Sequence, residues 1–104
     1  MELINEDLAK VKAYQNLIEL KEKELEELEE QYESEMIKIQ ARKILDEIKE
    51  HGEYTIFAVV PESKENIETI REKIKMTGKE IDEINKFFKK YSDDKSDRLL
   101  EKIN

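Results

Sequence analysis

The chain has 104 residues, with 27 acidic against 19 basic side chains (net charge -8), no Cys, no Trp, one His, one Pro and two Gly. Without Cys there is no disulfide framework, zinc–thiolate site or thiol nucleophile, and the acidic balance opposes non-specific binding to nucleic acid or anionic membranes. The longest apolar run, Ile56 to Val60, is far too short to span a bilayer, and Met1-Glu2-Leu3 is not the opening of a secretion leader, so a cytoplasmic protein away from membranes is expected.

From Met1 to His51 there is neither Gly nor Pro, so nothing stops a helix once it starts. Apolar residues recur every seven positions at Ile4, Val11, Ile18, Leu25, Tyr32 and Ile39, which is the a phase of a heptad. The d phase is mixed: Asp7, Tyr14, Lys21, Leu28, Glu35 and Arg42. This pattern predicts a helix from about Leu3 to His51 that packs along its length on another helix, with Ser34 the one weak break point and Gly52 a left-handed cap. Such a helix is ~70 Å long at 1.5 Å per residue. The helices expected downstream are ~20 Å each. They are too short to cover it, so a second chain or a different partner is expected to do so. From Met36 onward Ile37, Ala41, Ile44, Leu45 and Ile48 widen the stripe toward a globular core.

Within the long helix, Glu19 to Glu35 holds nine acids and two lysines and carries nearly all the net charge. The i, i+4 pair Glu19/Lys23 supports an ordinary solvated face. Glu24, Glu26, Glu27, Glu29, Glu30 and Glu33 have too few cationic neighbours at helical spacing to be neutralised. They are the candidate binding face for a basic protein partner.

The stretch Glu53-Tyr54-Thr55-Ile56-Phe57-Ala58-Val59-Val60-Pro61 is rich in β-branched and aromatic residues and bounded by Gly and Pro, so it reads as a strand. As the one strand candidate it would leave its backbone groups unpaired. Tyr54, Ile56, Phe57, Ala58, Val59 and Val60 are therefore the expected dimerisation residues, pairing with a second copy or with another sheet edge. After Pro61 the period returns to 3.6. Ser63 caps a helix carrying Ile67, Ile70 and Ile74; Thr77-Gly78-Lys79-Glu80 matches a capping box; Ile81, Ile84, Phe87, Phe88 and Tyr91 line a second helix. Ser92 to Lys95 reads as a loop, and Ser96 caps a short last helix with Leu99, Leu100 and Ile103.

The expected fold is mostly α: a long coiled-coil-like N-terminal helix, one short strand pairing between chains, and two to three C-terminal helices. Residues 1–35 form an acidic helical extension, and 36–104 a dimerisation core with strand 54–60. Buried positions are expected at Ile44, Leu45, Ile48, Ile56, Phe57, Val59, Val60, Ile67, Ile70, Ile74, Ile81, Ile84, Phe87 and Phe88. The order of strand, Pro61, helix, turn at Gly78 and helix over 54–91 is similar to the ribbon–helix–helix family, whose dimers lay a two-stranded ribbon in the DNA major groove. The groove-facing positions here would be Thr55, Phe57 and Val59, two of which cannot donate hydrogen bonds to base edges.

No catalytic residue, metal or cofactor is expected. His51 with Glu47 supplies two ligands at most, and its place at a helix C-terminus is favourable for the dipole alone. Lys86, Lys89, Lys90 and Lys95 interleave with aromatics as single-strand binders do, yet those aromatics fall on the apolar stripe. The expected function is a homodimeric, non-enzymatic interaction protein: a small acidic adaptor, or an inhibitor of the viral type, acting on a nucleic-acid-handling partner. The alternatives are a DNA-binding regulator with a ribbon–helix–helix-like core and a structural coiled-coil subunit.

Overall fold

The computed structural model describes residues 5–63 and 65–103, with side chains as far as Lys95. It contains two helices, α1 (Glu6–His51) and α2 (Ile67–Ile103), and no strand among the described residues. Both helices start on an asparagine. Asn5 Oδ1 accepts the N–H of Leu8 at 2.8 Å, and Asn66 Oδ1 accepts that of Glu68 at 2.8 Å. These caps satisfy donors that the first turn leaves without a partner. Glu6 and Asp7 in the first turn of α1, and Lys49 and His51 in its last, complement the helix dipole.

The contacts divide the fold into two units. The first joins α1 up to Leu25 with α2 from Lys75. There the two helices run antiparallel: Asp7 meets Tyr91 and Lys95, Tyr14 stacks on Phe88, and Lys21 meets Glu80. The Tyr14 and Phe88 rings lie 5.1 Å apart and nearly parallel, and Tyr91 tilts against Tyr14 at 5.8 Å. Half-buried Val11, Ile18, Leu25, Ile81 and Ile84 fill the seam, and Thr77 is buried in it.

The second unit is Glu26–Ile74, made of the rest of α1, the connecting segment and the first turns of α2. Ile70 is completely buried, and Leu28, Tyr32, Ile39, Ile67 and Ile74 are half-buried. The chain returns from α1 to α2 along α1 itself. Arg42 Nη2 donates to the Pro61 carbonyl at 2.7 Å, and Gln31 Nε2 donates to Glu65 at 3.2 Å.

Several expectations are overturned. Residues 54–60 form no strand, and Ile56, Phe57 and Val59 lie in solvent; only Val60 is half-buried. Their β-branched composition expresses a propensity that no neighbouring strand converts into structure. The two to three C-terminal helices are one. Thr77 spends its side chain in the seam instead of capping, and Ser92 to Lys95 continues the helix because Tyr91 and Lys95 bond to Asp7. The ribbon–helix–helix order is therefore absent. α2 is longer than the helices expected downstream and packs on α1 within the same chain, and residues 54–60 form no strand that would need a pairing partner.

Ile44 and Phe87 are exposed, whereas Leu45, Ile48, Ile81, Ile84 and Phe88 are only half-buried, because one pair of helices covers one stripe on each. Nothing breaks α1 at Ser34. The expectations at Ile4, and for the side chains of Leu99, Leu100 and Ile103, lie outside the described residues.

Neither glycine has a positive φ. Gly52 is required for a different reason: a Cβ there would stand 2.6 Å from the Ile48 carbonyl oxygen, which accepts the Gly52 N–H. A Cβ on Gly78, inside α2, would meet nothing within 4 Å. Gly78→Ala is accordingly expected to raise the unfolding free energy by about 0.5–1 kcal/mol, and Gly52→Ala to lower it by about 1–3 kcal/mol. Urea denaturation followed by helix circular dichroism checks both signs.

Candidate functional site

The acidic face lies on α1. Glu26, Glu27, Glu29, Glu30 and Glu33 are all exposed and occupy heptad positions outside the a and d seam. None makes an ion pair with a described residue, whereas Glu24, in the other unit, takes Lys21 Nζ at 3.0 Å. Glu26 with Glu30, and Glu29 with Glu33, are like charges one turn apart. Each such pair costs about 0.2–0.5 kcal/mol in an isolated helix. The face thus carries a repulsion that the chain's own described cations do not relieve.

The seam carboxylates behave differently. Glu35 retains only 5 % of its area exposed. Its Oε1 accepts Lys38 Nζ at 3.1 Å, while Oε2 meets no hydrogen-bond donor among the described residues. The Ser63 hydroxyl, and then Lys38, hold its carboxyl below the ordinary value of 4.5 despite the opposing effect of burial. Glu65 is held low chiefly by Lys73. Lys21 is held above its usual range by Glu80 and then Glu24, and Arg71 by the Tyr32 hydroxyl, which its Nη2 reaches at 2.9 Å. Lys21 with Glu80 and Arg71 with Tyr32 fix one helix against the other, while Glu35 and Glu65 tie the connecting segment to the helices.

His51 is exposed, and its Nε2 lies 3.7 Å from Glu50 rather than beside a ligand set. No cluster of three or more His, Cys, Asp or Glu among the described residues is arranged to hold a metal ion. An open depression in the first unit is lined by Asp7, Lys10, Tyr91 and Lys95. There Asp7 already takes Lys95 at 2.7 Å, and Lys10 lies over the Tyr91 ring at 4.8 Å. Lys86 and Lys90 flank the exposed Phe87 in a small cleft, while Phe88 is turned into the seam.

Of the predicted dimerisation residues, Tyr54, Ile56, Phe57, Ala58 and Val59 are exposed on the connector and Val60 is half-buried. The structure therefore places the acidic face and this apolar segment on different parts of the second unit. No helix among the described residues is long and apolar enough to cross a membrane. The chain matches no family model, no curated protein and no solved structure.

The low pKa of Glu35 has a consequence for stability. A carboxyl with a folded pKa below its unfolded one stabilises the fold above the unfolded value and ceases to as the pH falls through the folded one. Stability is therefore expected to drop on acidification below about pH 4.5. Glu35→Gln is expected to flatten that acid limb relative to the native chain, as read from chemical denaturation at pH 7, 4.5 and 3.

Proposed function

We propose that this chain is a non-enzymatic interaction protein, a small acidic adaptor or inhibitor that engages a basic surface of a partner protein through the outer face of α1. The observation that carries the reading is the set of five exposed carboxylates, Glu26, Glu27, Glu29, Glu30 and Glu33, without an ion pair to any described residue. Their mutual repulsion opposes helix formation, and a basic partner would convert it into attraction. The reading needs no second copy, because the face is complete on one α1.

Rim charges of this kind act chiefly on association rate and salt dependence. The Glu26→Gln, Glu27→Gln, Glu29→Gln, Glu30→Gln variant is expected to lose a partner retained by the native chain at low salt. It should keep its helix content and unfold at slightly higher temperature. Retention from an extract of the protein's own cells at two salt concentrations, with thermal unfolding alongside, checks this; unchanged affinity and salt dependence would end the proposal.

A further inference from the structure

Gly52 donates its N–H to the Ile48 carbonyl at 2.7 Å, and the next backbone–backbone hydrogen bond after it joins Ile70 to Asn66. Between those points no described residue makes one. Water is therefore the partner available to the amides and carbonyls of residues 54–60. The two ends are nevertheless held. Gly52 closes α1, and Arg42 takes the Pro61 carbonyl at 2.7 Å. A segment anchored at both ends has already lost part of the entropy that docking costs.

Its side chains are also unusual for a surface loop. Phe57 and Val59 are each 94 % exposed, Tyr54 is 79 % exposed and Ile56 53 % exposed. Phe57 and Val59 are two residues apart, the spacing that places side chains on one face of a strand. Residues 54–60 contain no charge, while Glu53 and Glu62 on either side are exposed and unpaired with any described cation. Uncharged β-branched and aromatic residues with free backbone groups are what an open sheet edge recruits.

We infer that residues 54–60 are a built-in peptide ligand, which joins an exposed sheet edge of another protein as an added strand, with Phe57 and Val59 in apolar pockets beside that edge and basic residues meeting Glu53 and Glu62. A second copy fits less well. Two such segments would make a two-stranded ribbon, marginal by itself in water, and its Phe57/Val59 face would stay bare. A lipid surface fits less well too, since Glu47, Glu50, Glu53 and Glu62 cluster in sequence around the segment and anionic headgroups would repel them. The inference is independent of the acidic face on α1.

A strand added at an edge turns alternate N–H groups toward its host. Thr55 and Ala58 lie on opposite parities, and neither supplies a large side chain. Of Thr55→Pro and Ala58→Pro, one is expected to lower partner cross-linking at least tenfold and the other to leave it within about twofold, because Pro is tolerated only where its N–H is not used. The assay places a photoreactive phenylalanine analogue at position 57 of the full chain. The protein is irradiated in an extract of its own cells, alone at equal concentration, and with phosphatidylcholine vesicles.

The expected result is an adduct with a protein, mapped to an edge strand of its sheet. That adduct should show the Thr55/Ala58 asymmetry and be retained in the Glu26→Gln, Glu27→Gln, Glu29→Gln, Glu30→Gln variant. Unchanged helix circular dichroism in both Pro variants excludes misfolding as the cause. Adducts on a helix or loop of the host, on a second copy or on lipid, equal effects of the two Pro variants, or no adduct at all would each overturn the inference.

Discussion

Polar groups set into an otherwise apolar seam govern this fold. Asp7, Lys21, Glu35 and Arg42 occupy the d phase of α1, and each finds its match in the same chain. Asp7 takes Tyr91 and Lys95, Lys21 takes Glu80, Glu35 lies by Ser63 and Lys38, and Arg42 takes the Pro61 carbonyl. In a parallel pair of identical helices the same positions would face themselves, Lys21 on Lys21 and Glu35 on Glu35. Within this chain α2 sets Glu80 against Lys21 instead, and Glu35 meets Lys38 and, in the connecting segment, Ser63. Polar seam positions of this kind specify register and direction more than they add stability.

The first half of this arrangement was legible in the sequence. The heptad of α1 and its extent to His51 follow from the absence of Gly and Pro and the seven-residue repeat. Which groups would meet the polar d positions was not legible, because a polar seam residue looks like a defect until its partner is known. The second half was hidden by local signals. Thr77-Gly78 and Ser92-Asp93-Asp94 imitate caps and turns, yet Ile67, Ile70, Ile74, Thr77, Ile81, Ile84, Phe88, Tyr91 and Lys95 keep an unbroken three-four spacing across both. A glycine inside a helix costs about 1 kcal/mol, which Thr77, Ile81 and Ile84 packed around it in the first unit outweigh. The connector misled in the opposite direction: strand composition is a preference for a pleated, half-buried surface, and nothing among the described residues supplies one.

The candidate sites divide along the same line. The position of the acidic face was readable as a run of glutamates, and its exposure followed from a heptad that sends those residues outward. The solvent-facing state of Phe57 and Val59 was not readable, since five consecutive apolar residues ordinarily mean burial. With Ile70 as the one fully buried apolar side chain among the described residues, the chain has little core of its own. A partner that binds only the folded form would stabilise it by mass action.

Closure of α1 by α2 of the same chain is the claim on which the rest depends, and the absence of native cysteine makes it directly measurable. Tyr14→Cys and Phe88→Cys replace two rings that stack at 5.1 Å. Short thiol cross-linking of this double variant over a hundredfold range of concentration reports which chain supplies the second helix. A link within one chain, with a 12.5 kDa product at every concentration, is the predicted result. A covalent species of twice that mass, growing as the protein is concentrated, would contradict it.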